Sequence, residues 1–227
     1  MNINTGLILC AGFGKRVAPL TNFVPKPLLK VQNKVLLDNS IHFLQNCGIK
    51  KIYINTHYLA DQIEDFIKKK NYKIKIQIFF EREILNTGGG IKNMLNNERE
   101  NNFLIINSDT IWGNEYVDEF FQMKKTFFEK NSSNILMLVN KKRSFDKRLD
   151  GDFSLKNNLL SKKDCNEFIF TGCQILSKNI FKNVKKTKFS INEIWNDLLK
   201  KNQLQGIESQ NKFLHVTDLE MYNKLNN

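Results

Sequence analysis

Short apolar runs alternate along the first half of the chain with stretches whose apolar residues recur every three or four positions. Residues 6–10 form an apolar run that reads as a buried strand. Within residues 35–47, apolar side chains stand at 37, 41, 44 and 47, the stripe of an amphipathic helix, and Gly48 follows as its natural C′ residue. Residues 51–55 alternate as a strand, and 60–70 place Ile63, Phe66 and Ile67 on one helical side. Residues 73–80 alternate cleanly, with Ile74, Ile76, Ile78 and Phe80 on one face. Thr87-Gly88-Gly89-Gly90 reads as a loop leading into a short helix, and 103–106 as a fully apolar strand. Strands separated by helical patterns of about ten residues are the signature of βαβ units and a parallel sheet.

The second half is less regular. Residues 116–128 read as a helix, 135–139 as a strand followed by a basic loop, and 168–176 as a long strand. Ser190-Ile191-Asn192-Glu193 fits a capping box opening a helix that contains Trp195, Leu198 and Leu199. No Gly/Ser/Pro-rich linker and no internal repeat divides the chain, so residues 1–227 read as one α/β domain.

Composition narrows the function classes. A hydrophobic share of 41% is too high for a disordered chain despite the net charge of +12. No apolar run approaches the ~18–20 residues of a membrane span. Residues 1–5 lack the basic start of a signal peptide, so a cytoplasmic location is expected. Cys10, Cys47, Cys165 and Cys173 are widely spaced, without a Cys-x-x-Cys, and are read as structural free thiols. His42, His57 and His215 form no zinc motif. The positive charge is mostly Lys, scattered in pairs without interleaved aromatics. That pattern suits a solvated surface steering anionic ligands and argues against nucleic acid or membrane as partner.

Candidate chemistry concentrates near the N-terminus. All three prolines, Pro19, Pro25 and Pro27, fall just after the glycine pair of Ala11-Gly12-Phe13-Gly14-Lys15-Arg16. A strand feeding a Gly-rich loop presents backbone N–H groups to phosphates. Two familiar versions are excluded: Gly14-Lys15 is followed by Arg16 rather than Ser or Thr, and position 17 is Val where a dinucleotide fingerprint has Gly or Ala. In Pro25-Lys26-Pro27-Leu28, Lys26 stands on a stiffened backbone that holds a cation near the loop. The glycine run around Gly88 lets a ring or phosphate approach the backbone. Asn107-Ser108-Asp109 ends an apolar strand, where open α/β sheets bind ligands, and Asp109 reads as a Mg²⁺ ligand.

With Gly-x-Gly-x-Arg, Pro-Lys-Pro-Leu and a strand-terminal Asp, the chain resembles the nucleotidylyltransferases that join a nucleoside triphosphate to a sugar 1-phosphate. It is most like a short bacterial subgroup that includes N-acetylmuramate α-1-phosphate uridylyltransferases, with mannose-1-phosphate guanylyltransferase-like proteins as near neighbours. The resemblance implies a Rossmann-like mixed, mostly parallel sheet flanked by helices, with Mg²⁺, or Mn²⁺, as cofactor. It assigns Ala11, Gly12, Phe13, Gly14, Lys15 and Arg16 to the triphosphate, Lys26 to the attacked phosphate and Gly88 to the border of the base. It places Asn107 near the sugar and Gly151, Asp152, Thr171 and Gly172 along the sugar pocket. Relatives complete the metal site with an Asp after the last strand; the matching residue here is His215, and Asp218 is expected to cap the final helix. No general base is required, because a sugar 1-phosphate is already an anionic nucleophile, and Arg16, Lys26 and Asp109 carry the electrostatic work. The alternatives are a mannose-1-phosphate guanylyltransferase, a phosphocholine-type cytidylyltransferase and a non-catalytic nucleotide-binding protein. The oligomeric state is left open.

Overall fold

The computed structural model describes residues 2–227; Met1, part of the expected domain and of the N-terminal segment, lies outside the described residues. In chain order the elements are β1 (Thr5–Leu9), β2 (Lys30–Val31), β3 (Lys34–Val35), α1 (Leu36–Asn46), β4 (Lys51–Thr56), α2 (Ala60–Lys70) and β5 (Lys75–Phe80). Then follow α3 (Asn86–Leu95), β6 (Asn102–Asn107), α4 (Glu115–Glu129), β7 (Asn134–Asn140), β8 (Ser154–Lys156) and β9 (Leu159–Ser161). The chain ends with β10 (Phe168–Ser177), α5 (Ile191–Lys200), β11 (Gln205–Ser209) and α6 (Leu219–Asn226). Each helix and strand read from the hydrophobic period forms within two residues of its expected bounds. Asp218 caps α6 by accepting from Met221 N–H at 3.0 Å. Among the described residues, no helix is long and apolar enough to cross a membrane.

Nine strands form one sheet in the order β5-β4-β1-β6-β10-β7-β11-β9-β8. The first four are mutually parallel; β10 runs antiparallel to both β6 and β7, and β11 is parallel to β7. The sheet is therefore mixed and mostly parallel, as expected. From β1 the chain builds outward through β4 to β5, then returns across α3 to add β6 on the other side of β1. The order reverses between β1 and β6, whose terminal residues Leu9 and Asn107 are register partners. Such a reversal leaves a crevice at the carboxyl ends of the strands.

Helices cover both faces, which is why the central strands are apolar throughout. Ile8, Ile54 and Ile106 pack with Leu37, Ile41 and Leu44 of α1 and Tyr116 and Phe120 of α4. Leu7, Phe103 and Ile105 face the other way, onto Ile91 and Met94 of α3 and Trp195 and Leu198 of α5. A third cluster, with Val17, Leu29, Leu36, Val216 and Leu225, pins the N-terminal loop against α6.

The glycine run departs from expectation. Gly88, Gly89 and Gly90 lie inside α3, not in a loop before it. A Cβ at Gly88 would fall 2.4 Å from Phe189 Cε2, one at Gly89 2.2 Å from the Thr187 carbonyl oxygen, and one at Gly90 2.7 Å from Glu81 Oε1. The room left by these glycines is filled by protein, which seats α3 tightly on the segment before α5.

A candidate active site at the strand-order reversal

A cleft of about 630 Å³ opens at the carboxyl ends of β1, β4 and β6. Ala11, Gly12, Gly14, Lys15, Arg16, Lys26, Asn107 and Asp109 line it, together with Asn55, Glu81, Asn86 and Thr87. An adjoining lobe of about 520 Å³ is lined by Asp152, Lys162, Phe170, Gln174, Asn192 and Trp195. Leu9, Arg16, Thr87, Asn107 and Ser190 border both lobes.

The loop after β1 owes its shape to Gly14, at φ +66°, where a Cβ would meet Thr21 Cγ2 at 2.9 Å and Lys26 Cβ at 3.0 Å. Thr21 Oγ1 donates to the Gly14 carbonyl at 3.0 Å. This close approach brings the Pro25-Lys26-Pro27 turn beside the loop. Nothing lies within 4 Å of the Cβ position at Gly12, so its backbone stays open to a ligand. Phe13 instead leans away, edge-on to His57 at 5.4 Å with the Lys15 ammonium over its ring, and does not line the cleft.

Asp109 sits just beyond β6. Its Oδ2 accepts from Lys26 Nζ at 2.6 Å and lies 3.2 Å from His215 Nε2. Burial pushes its carboxyl up, but the Lys26 ammonium and the adjoining His215 ring outweigh that and hold it well below the usual carboxylate range. Asp109 Oδ1 is buried without a hydrogen-bond partner. Among the described residues no cluster of three or more His, Cys, Asp or Glu could hold a metal ion by itself. One free carboxylate oxygen still suits Mg²⁺, which takes one or two carboxylates and fills its remaining positions with phosphate and water oxygens.

The remaining predicted residues divide between lining and shaping. Asp152 lines the second lobe and accepts from Phe170 N–H at 2.8 Å. Gly151 makes room for the Asn166 carbonyl, 2.4 Å from where a Cβ would stand. Thr171 is buried and donates its hydroxyl to the Met137 carbonyl at 2.9 Å. Gly172, at φ +92°, lies at an irregularity in the β10–β7 pairing and passes so close to Asn107 that a Cβ would stand 2.9 Å from Asn107 Cβ. Gly88 is buried under Phe189, and the same turn contributes Asn86 and Thr87 to the cleft.

Other residues carried no motif of their own. Asn55 accepts from Cys10 N–H at 2.9 Å and donates to Glu81 Oε1 at 2.8 Å, tying β1, β4 and the end of β5 together under the cleft. Trp195 Nε1 donates to Gln174 Oε1 at 3.4 Å and its ring meets Phe170 at 4.9 Å, forming an aromatic wall of the second lobe.

Residues 5–147, well over half the chain, match the family model for nucleotidyl transferases. The chain is 29% identical over 220 residues to the N-acetylmuramate alpha-1-phosphate uridylyltransferase of Caulobacter vibrioides, covering 93% of this chain and 91% of that protein. It is 26% identical over 224 residues to the D-glycero-alpha-D-manno-heptose 1-phosphate guanylyltransferase of Campylobacter jejuni, covering 95% and 96%. Among solved structures, HddC from Yersinia pseudotuberculosis matches with a TM-score of 0.79 at 25% identity over 98% of each chain. A phosphate-ready loop and a cation–carboxylate pair at the strand-order reversal thus stand on the sheet of known relatives, and the chain belongs to the nucleotidyl transferase family.

Proposed function

We propose that the protein transfers a nucleotidyl group from a nucleoside triphosphate to a sugar 1-phosphate and releases pyrophosphate, with UTP and N-acetylmuramate 1-phosphate as the leading pair. The observation that carries this reading is Lys26 held on Asp109 at 2.6 Å, beside an open Gly12 backbone and where two lobes share Arg16 and Asn107. The larger lobe takes the nucleotide and the smaller one the sugar. A phosphate oxygen of the sugar 1-phosphate attacks the α-phosphorus; that P–O bond forms as the bond to the β-phosphate bridging oxygen breaks, and pyrophosphate carries away the electron pair. Arg16 and the loop N–H groups hold the departing phosphates, and Lys26 neutralises charge on the α-phosphate. This is catalysis by positioning and preorganised charge. Mg²⁺, or Mn²⁺ in its place, would bind Asp109 Oδ1 and neutralise phosphate charge.

A guanylyltransferase reading draws on the near full-length likeness to a heptose 1-phosphate guanylyltransferase, at 26% identity. The test is pyrophosphate release across the four triphosphates, each with N-acetylmuramate 1-phosphate, mannose 1-phosphate and phosphocholine, in Mg²⁺ and then Mn²⁺. UTP with the muramate sugar is expected to give the signal. GTP with mannose 1-phosphate would transfer the assignment to the second reading. Nucleotide binding with no release from any pair would overturn both.

A further inference from the structure

Asp146 is 3% exposed and has no part in the reaction just described. It accepts from Arg148 Nε and Nη2, both at 2.8 Å, and its carboxylate lies beside the Thr217 hydroxyl. Arg148 in turn donates to Asp218 and Glu220, each at 2.8 Å, so the segment from 146 to 148 is clamped to the start of α6. Thr217, 7% exposed, shares a hydrogen bond with His215 Nδ1 at 3.2 Å. The other ring nitrogen, Nε2, is on Asp109 Oδ2. The imidazole is further fixed by stacking on Phe213, which is itself buried, with ring centroids 5.5 Å apart and planes 8° from parallel. Backbone pairing completes the frame: Val216 N–H donates to the Asp109 carbonyl at 3.0 Å, and Thr110 and His215 form an antiparallel bridge.

These contacts form one continuous column from Arg148 through Asp146, Thr217 and His215 to Asp109. Nδ1 of His215 is hydrogen-bonded to Thr217 and Nε2 faces Asp109 Oδ2, so neither nitrogen points to open space that a cation could take. With Oδ2 occupied by Lys26 and His215, the rotation of the Asp109 carboxylate is set and Oδ1 is its one unpartnered oxygen. We propose that Asp146, Thr217 and His215 are positioning residues that brace Asp109, and that His215 is not a metal ligand. A divalent cation then finds only one protein oxygen here and is held chiefly by the triphosphate it accompanies.

The kinetic arm of the test rests on the nucleotidyl-transfer reading; the binding arm does not. For the first, Thr217→Val and Thr217→Ser are assayed for pyrophosphate release at saturating substrates. Valine keeps the branched shape and loses the hydroxyl, and a loosened carboxylate should lower kcat roughly 10- to 100-fold, with KM for the sugar phosphate within about twofold of wild type. Serine restores the hydroxyl and should return kcat to within about twofold. Unchanged turnover in Thr217→Val, or a serine variant as poor as the valine one, overturns the brace.

For the second arm, binding of Mn²⁺ alone to nucleotide-free full-length protein is followed by electron paramagnetic resonance. His215→Ala should bind Mn²⁺ at least as tightly as wild type, and His215→Asp, which supplies a second carboxylate, about tenfold more tightly or better. Weaker Mn²⁺ binding in His215→Ala would make the imidazole a ligand and sink the proposal. This arm decides the place of His215 by itself if Thr217→Val does not fold or if no substrate pair turns over.

Discussion

Replacing Lys26 by methionine keeps the side-chain stem and removes the charge, and its two consequences differ in size. Lys26 Nζ and Asp109 Oδ2 are 2.6 Å apart, with side chains 12% and 20% exposed. At an effective dielectric of about 20 the gross attraction of such a pair is several kcal/mol. Much of it is offset by desolvation, and His215 Nε2 remains 3.2 Å from the same oxygen. The net cost to the fold should therefore be about 1–3 kcal/mol, below the full penalty of stranding a buried charge. For a domain of this size that is a fall of roughly 3–10 °C in Tm.

The loss of turnover should be larger. Lys26 is asked to meet charge that grows on the α-phosphate during the reaction, and removing one such donor costs roughly 10²- to 10³-fold in kcat. Calorimetry measures the first effect, and pyrophosphate release at 20 °C, where the variant is still folded, measures the second. Triphosphate binding by titration calorimetry separates lost affinity from lost chemistry. Turnover within threefold of wild type, with binding intact, would refute the assigned role. An unchanged Tm would show that the ion pair contributes nothing net to stability.

Gly89→Ala places a methyl 2.2 Å from the Thr187 carbonyl oxygen, a fixed backbone atom, and should destabilise the protein by roughly 1–3 kcal/mol in urea unfolding. A neutral result would mean that α3 shifts freely. Lys162→Ala, in the second lobe, should raise KM for the sugar phosphate several-fold while leaving KM for the triphosphate unchanged; the opposite split would exchange the two lobes. Glu98 is pushed up by burial but held at about 2 by Lys51, Tyr53 and nearby backbone N–H groups, against an ordinary 4.5. Its contribution, roughly 2–3 kcal/mol, is present above pH 4.5 and lost as the pH falls toward 2. Lys51→Met should flatten that part of the stability curve, and an unaltered pH profile would show that Lys51 is not what holds the carboxylate down.

The sheet was legible where one face or both had to be buried. The stripe at 37, 41, 44 and 47, running along α1 and onto its C-cap, is wholly buried, and the apolar run after Asn102 is β6. β11 was invisible because Gln205-Gly206-Ile207-Glu208-Ser209 carries a single large apolar residue; its pairing is dictated by neighbours distant in sequence. Of the cleft residues, those that form a local motif could be read directly: Gly12, Gly14, Lys15, Arg16, Lys26 and Asp109. Trp195 and Gln174 could not, since an aromatic on a helical stripe and a polar residue within an apolar strand signal packing until the fold brings them together. The glycine run was read for the wrong partner: three missing side chains mark close approach, but not whether a ligand or Phe189 does the approaching.

Because β10 runs against both neighbours, it separates the parallel block β5-β4-β1-β6 from a mixed remainder in which only β7 and β11 are parallel partners. The block from β5 to β6 carries the Gly-rich loop and Asp109, whereas Asp152, Lys162 and Trp195 come from chain that follows β7. Only the border residues, Arg16 and Asn107 among them, answer to both. A lineage could therefore remodel the pocket for a new acceptor without disturbing the machinery that cleaves the triphosphate, as a lathe keeps its headstock while the tool is changed.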